Sequence, residues 1–301
     1  MFGVTILGNN SALPAYNRHP TAQVITLNDH LFLVDCGEGT QMQMNLYKIR
    51  RSRINHIFIS HLHGDHYFGL PGLITSYGLL GRLHELHLYA PAALQDILNL
   101  QLNVSDTKLP YTLHFHALEN ASSLLVEEDN FLVECFKVFH RIECWGFLFR
   151  EKKKPRKINI AAAREHNIPV EFFEQLKQGE DFIEKDSVIK NEILTTANKP
   201  SKSYAYSADT VYTESLAEKM RNVNLLYHEA TYLKDKTEKA AMRFHSTSEQ
   251  AAQLAKIAGA KKLLIGHFSS TYESLNEFLT ESRAIFPNTN LALEGQTFLV
   301  T

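Results

Sequence analysis

The sequence predicts an α/β protein in which sheets pack on each other with helices outside. Short β-branched and aromatic runs alternate with stretches in which apolar residues recur every three or four positions. Strands dominate within each half, and helices follow in runs. The 301 residues, 44% hydrophobic and 21% charged, suffice for one substantial core. A chain of this length and class often forms one unit, so a single domain over 1–301 is expected.

In chain order, the runs VTIL at 4–7, AQVITL at 22–27, LFLVDC at 31–36 and HIFIS at 56–60 predict strands. LHLYA at 86–90, SYAYSA at 203–208, LLYHEA at 225–230, KLLIGH at 262–267 and LALEG at 291–295 predict the rest. Helical spacing covers about 67–80, 91–101, 246–258 and 272–284. The residues STSE at 246–249 predict a capped start for the third of these helices. There is no short-period repeat and no low-complexity segment.

The first residues, MFGVTILGNNSALPAY, lack a basic leader and a long apolar core, so they predict a strand and turn rather than a signal peptide. No apolar run approaches the roughly 20 residues that span a bilayer, and a cytoplasmic protein without membrane association is expected. Cys36, Cys135 and Cys144 form no CxxC pair and fit reduced, buried thiols. A net charge of −2 argues against a nonspecific nucleic-acid coat but leaves room for a local basic patch. The 15 histidines are the informative excess, since imidazole is the commonest metal ligand.

One stretch stands apart. Residues 151–191 are polar, mixed in charge and broken by two prolines and one glycine. Such a run is either a solvated connector or an inserted arm that aims Lys152, Lys153, Lys154, Arg156 and Lys157 at phosphates.

The chemistry is concentrated in His61-Leu62-His63-Gly64-Asp65-His66, directly after the strand HIFIS. His61 and His63, two apart in extended chain, face the same way. Asp65 and His66 follow where the chain bends into a helix and can serve a neighbouring ion. Three imidazoles and a carboxylate packed so densely are costly to bury without a cation. Two ions need further ligands from other strand ends. His140 after FLVECFKVF, Asp209 after SYAYSA and His267 at the close of KLLIGH stand in such positions, although each taken singly reads more readily as a hydrogen-bonded core or surface residue.

The HxHxDH loop resembles the metallo-β-lactamase superfamily. Within it, the blocks LFLVDCGEGTQ at 31–41, GLPGLITS at 69–76, HEAT at 228–231, His245-Ser246-Thr247 and GHFSS at 266–270 resemble the ribonuclease Z family. The match runs in order over nearly the whole chain and is poorest at 151–195. The resemblance implies a four-layer αββα sandwich with two zinc ions per subunit at one edge between the sheets. It implies His61, His63 and His140 on one zinc, Asp65, His66 and His267 on the other, and Asp209 bridging. It further implies a hydroxide shared by two zincs roughly 3.5–4 Å apart that attacks phosphorus in line. Asp65 resembles the family's proton acceptor.

His245 is placed to protonate the leaving ribose 3′ oxygen, with Glu229 orienting its ring. The alternative is that His245 caps a helix and Glu229 is a buried hydrogen-bond partner. By resemblance the substrate is precursor tRNA, cut to leave a tRNA 3′ hydroxyl and a 5′-phosphorylated trailer. The implied assembly is a homodimer whose arm clamps the tRNA elbow. The sequence departs from the family pattern at Asn9-Asn10-Ser11, Arg18-His19, Gly266 and Thr271, and lacks the Gly-Pro element of the arm near Pro169. None of these is a proposed ligand. The competing readings are a phosphodiesterase for small or cyclic phosphodiesters, a silent RNA-binding scaffold, and a hydrolase of carbon esters or amides. The last lacks a use for the Glu229 and His245 blocks.

Overall fold

A computed structural model describes residues 1–119, 122–184 and 187–301. Two seven-stranded sheets dominate it. The first runs Thr297–Leu299, Phe2–Gly8, Ala22–Leu27, His30–Val34, Ile54–Phe58, Leu86–Ala90 and Leu113–Ala117. Its pairs are antiparallel up to His30–Val34 and parallel beyond. The second runs Thr289–Leu291, Leu263–Gly266, Leu225–Glu229, Ser203–Tyr206, Trp145–Glu151, Phe131–Lys137 and Ser122–Glu127.

The sheets meet through aromatic rings. Phe58 packs on Phe147 at 5.4 Å between centroids, and Phe32 on Phe149 at 5.5 Å. On the opposite face of the first sheet, Leu33, Ile57 and Leu88 bury against Met44, Leu73, Ile74, Leu94 and Leu98. Those five residues come from the helices Thr40–Leu46, Leu70–Leu79 and Ala93–Val104. Helices Ser248–Ile257 and Asn276–Ile285 cover the second sheet. The four layers are the expected αββα sandwich.

Several elements differ from the sequence expectation. The helix Ser248–Ile257 is capped by Thr247 in a capping box with Gln250, not from Ser246, whose hydroxyl is spent on the Thr210 carbonyl at 2.7 Å. The run LALEG predicts a strand at 291–295, whereas the strand is Thr289–Leu291. Several strands of the two large sheets and the helix Thr40–Leu46 escape the periodicity. One is Leu113–Ala117, where His114 and His116 alternate with Leu113 and Phe115.

Two compact units make up the described chain. The first contains 1–127, 133–149 and 202–301; the second contains 128–132 and 150–201. The second has its own core of Ala163, Ile168, Leu176, Phe182 and Leu194. Lys157–Ile158 pairs with Thr195–Thr196, and Phe182–Glu184 pairs with Ser187–Ile189. The buried Asn191 amide donates to the carbonyls of Leu176 and Glu180, tying its helix to the rest. Residues 150–201 therefore fold about an interior rather than run as an extended connector. Lys185 and Asp186, inside the segment 151–191, lie outside the described residues.

Candidate metal centre

The seven expected ligands come from four places in the sequence and converge. Strand ends set their directions. Asp35, Ala208 and His267 each adopt left-handed backbone, with φ of 55°, 54° and 59°, so the chain turns sharply just past three strands. Such conformations are uncommon for residues other than glycine and cluster at functional sites. Glycine supports the turn beneath. A Cβ on Gly37 would stand 2.5 Å from the Asp65 carbonyl, and one on Gly69 would stand 2.2 Å from the Gly37 carbonyl. The DCGEG and GLPG blocks are thus shaped to press against the metal loop.

Two groups of donors result. His61 Nε2 and His140 Nε2 lie 3.0 and 3.1 Å from His63 Nδ1. Asp209 joins that group, with Oδ2 3.7 Å from His61 Nε2. In the other, His66 Nε2 and His267 Nε2 are 3.3 Å apart, and Asp65 Oδ2 is 3.3 Å from His267 Nε2. Asp209 Oδ2 is 3.3 Å from both of these imidazole nitrogens. It therefore faces both groups, as a bridge must.

Following the protons shows why a cation belongs here. Ser60 donates its hydroxyl to Asp35 at 2.9 Å, so it accepts from His61 Nδ1 at 3.0 Å. His66 Nδ1 donates to Asp35 at 2.8 Å. Thr231 donates to Glu229 at 2.7 Å and so accepts from His267 Nδ1 at 2.9 Å. His140 Nδ1 donates to the Phe244 carbonyl at 2.9 Å. In the neutral imidazoles, each of these four rings then turns a bare lone pair on Nε2 toward its neighbours and two carboxylates. Acceptors facing acceptors at these distances repel unless a cation lies among them. Imidazole nitrogen and carboxylate oxygen are zinc donors, so the residues fit the metals the fold calls for.

The electrostatics divide the imidazoles. Burial pushes the His61 imidazole well below its usual range, and burial together with His140 pushes His63 down to about 4, leaving both in the neutral form that coordinates. Burial works to raise Asp209 and Asp65, but Coulombic attraction to His267 and His66 outweighs it, and both carboxyls sit well below the ordinary range. Against its own burial, His66 is held well above its usual range by Asp209, Asp35 and Asp65, so these carboxylates favour positive charge at this spot.

Beside the metal donors lies a second pair. Glu229, fully buried, accepts from His245 Nδ1 at 2.8 Å, the Thr210 amide at 3.0 Å, and the Thr231 amide at 3.1 Å. Burial alone would lower the His245 imidazole, yet the Glu229 charge and hydrogen bond lift it to about 9. His245 does not cap the following helix, since Thr247 does. His63, Asp65, His140, Asp209, His245 and His267 all line one cleft of about 500 Å³, together with Arg141 and Arg243.

Sequence reasoning missed the residues that aim the ligands. Asp35, Ser60, Tyr206 and Thr231 are buried beneath the metal donors. Tyr206 donates to Asp35 at 2.6 Å, and the Ser60 amide donates to it at 2.7 Å. The signal for Asp35 was an aspartate closing the apolar run LFLV in the block 31–41. Lys153, Lys154 and Lys157 are exposed, whereas Arg156 is partly buried and donates to Thr195 at 2.6 Å.

A ribonuclease Z of Bacteroides fragilis (strain YCH46) is 43% identical over 296 residues, covering 98% of this chain and 97% of that protein. The chain belongs to the ribonuclease Z family. A ribonuclease Z of Porphyromonas gingivalis (strain W83) is 42% identical over 295 residues, covering 97% of each. Among solved structures, the human tRNase Z, short form, superposes with a TM-score of 0.72 at 26% identity, covering 99% of both chains. A family model described as the anti-Pycsar protein Apyc1 matches residues 2–154, which contain the metal loop but not Asp209, Glu229, His245 or His267. The full-length relatives cover those residues as well. The fold is that of the metallo-β-lactamase proteins, among them YhfI of Bacillus subtilis at TM-score 0.68 and 20% identity.

Proposed function

We propose that the chain is a zinc-dependent endoribonuclease that removes the 3′ trailer from precursor tRNA, leaving a tRNA 3′ hydroxyl and a 5′-phosphorylated trailer. The observation that carries this is the His245–Glu229 pair standing beside converged metal donors, in a chain of the ribonuclease Z family. His61, His63 and His140 would hold one zinc, Asp65, His66 and His267 the other, and Asp209 both. Bound there, zinc supplies Lewis acidity toward a phosphoryl oxygen and lowers the pKa of a water.

The protein's own groups do the rest. Asp65 stands at the cleft, held by the Ala12 amide at 2.7 Å, and takes the proton of the attacking water. Arg141 and Arg243 line the same cleft and meet phosphate charge. As the phosphorus–O3′ bond breaks, the leaving oxygen needs a proton. His245 has Nδ1 fixed on Glu229, so Nε2–H is the group left to donate it. Glu229 keeps the imidazole charged until that moment.

Exposed Lys153, Lys154 and Lys157 support a role for the unit built on 150–201 in contacting tRNA phosphates. A homodimer is supported by exposed apolar side chains on and beside two helices of the first sheet, Met42, Leu46, Phe68, Leu79, Leu80 and Leu83. Three free buried cysteines suit a cytoplasmic setting, and no helix of the described residues is long and apolar enough to cross a membrane.

Metal analysis coupled to cleavage of a 3′-extended precursor tRNA tests the reading. We expect two zinc per chain at the cleft and a cut just 3′ of the discriminator base. Hydrolysis of a cyclic nucleotide with no cut in the precursor would overturn the RNA substrate.

A further inference from the structure

We propose that a second cavity, at the far end of the strand Ile54–Phe58 from the metal loop, binds a nucleoside monophosphate whose phosphate is held by Arg50 and Arg51. The cavity measures about 550 Å³, the size of an ordinary ligand pocket, and shares no lining residue with the metal cleft. It opens between the helices Thr40–Leu46 and Leu70–Leu79 and the turn Arg51–Arg53. Arg50, Arg51, Arg82 and His84 line it, and among the described residues no aspartate or glutamate does. The local charge is built into the sequence. Lys48, Arg50, Arg51 and Arg53 stand within the six residues KIRRSR of a chain whose net charge is −2.

Two enclosed groups on this wall have unmet demands. Arg82 is only 8% exposed, and its guanidinium donates to the carbonyls of Ile54, His84 and Glu85 and to the Asn55 side-chain oxygen. All four acceptors are neutral, so these bonds hold the cation without balancing its charge. The Tyr77 and Tyr111 rings flank it, with centroids 5.2 and 5.6 Å from the guanidinium carbon. A buried charge is ordinarily paired, and an anion seated beside Arg51 would supply the missing partner. Tyr77, 2% exposed, also lines the cavity, and its enclosed hydroxyl has no hydrogen-bond partner. Guanidinium groups suit phosphate, which they meet through paired N–H donors. The other walls select what the phosphate carries. Met44, Ile49 and Leu80 offer apolar surface to a planar base, while Asn45 and Ser52 offer hydrogen bonds to base edges or ribose. An acyl chain would have no use for those polar groups.

The probe is AMP, titrated calorimetrically into the full-length protein. Leu80 and Leu83 at the rim belong to the apolar surface that supports a homodimer, so the protein is used in its native assembly. Arg50→Ala combined with Arg51→Ala should weaken AMP binding about 10–100-fold, because two charge-assisted contacts are lost. Adenosine and inorganic phosphate should each bind about tenfold or more weakly than AMP, since each keeps only part of the contacts. Tyr77→Phe removes only the unpartnered hydroxyl and should weaken AMP by about 3–10-fold. Precursor tRNA cleavage should be unchanged in the arginine variant. AMP held at the metal cleft would be indifferent to these substitutions, so equal affinity in wild type and both variants would overturn the site. Absence of AMP binding would overturn it as well. A loss of precursor tRNA affinity in the arginine variant would then assign the basic turn to the RNA backbone instead. If the arginine variant does not fold, Tyr77→Phe decides.

Discussion

Asp35 Oδ2 and His66 Nδ1 meet at 2.8 Å with both side chains fully enclosed. The bond fixes which imidazole nitrogen carries the proton and so turns Nε2 toward the metal donors. Ser60 and Tyr206 donate to the same carboxylate, which settles its position as well as its charge. Replacing Asp35 with Asn removes the charge and turns an amide donor toward groups that already donate. We expect Asp35→Asn to weaken zinc binding about 10–100-fold, measured by competition with a chelator. Unchanged affinity in a folded variant would show that His66 orients without Asp35.

His245 and Glu229 make a second prediction. His245→Ala should lower single-turnover cleavage of precursor tRNA by about 10²–10⁴-fold with zinc content unchanged. Near-wild-type rates would remove the acid role.

The pH profile of the same reaction separates orientation from charge. Glu229 raises the His245 imidazole to about 9, so the acid form persists through neutral pH and is lost as pH rises past that value. Glu229→Gln takes away the raising charge, so His245 should deprotonate at lower pH. The falling limb of the rate should move toward acid by a unit or more, roughly 1.4 kcal/mol per unit. A limb that stays in place while the rate drops would mean that Glu229 only positions the ring.

Tyr227 and Gly266 form a packed pair. A Cβ on Gly266 would stand 2.4 Å from the Tyr227 hydroxyl oxygen and 2.8 Å from its ring, so the phenol fills the space a side chain would need. This accounts for the glycine directly before His267. Gly266→Thr should destabilise the protein by ~1–3 kcal/mol through overpacking. Part of that loss should return in a double variant with Tyr227→Leu, read by denaturant unfolding as a double-mutant cycle. Strict additivity would contradict the pairing.

For the lysines, Lys153→Ala, Lys154→Ala and Lys157→Ala combined should weaken precursor tRNA binding. The slope of log affinity against log salt should become shallower by about 0.7–0.9 for each phosphate that a lysine no longer neutralises. Hydrolysis of an artificial aryl phosphodiester should not change. An unchanged salt slope would place the tRNA-binding surface elsewhere.

The convergence of seven side chains was legible because the HxHxDH spacing compresses four of them into one loop, while His140, Asp209 and His267 stood after apolar runs and were joined to the loop by the family resemblance. The sheets were legible wherever a strand buries an apolar face. Leu113–Ala117 was not, because Leu113 and Phe115, which pack on the core beneath the helices, are interleaved with His114 and His116 in a run of only five residues. Asp35, Ser60 and Thr231 were equally hidden, since a buried aspartate or hydroxyl acquires its meaning only from the imidazole it touches. The interior of 150–201 rests on Ala163, Ile168, Leu176, Phe182 and Leu194, too few and too irregularly spaced to give a period. Ser246 has the residue type of a cap, but its hydroxyl is held by the Thr210 carbonyl.

Anomalous diffraction at the zinc edge from crystals of the protein grown with zinc tests the central claim most directly. Two peaks should lie at the cleft, one among His61, His63 and His140 and the other among Asp65, His66 and His267, with Asp209 touching both. A cleft without anomalous density, its imidazoles bonded instead to water or to one another, would contradict the account.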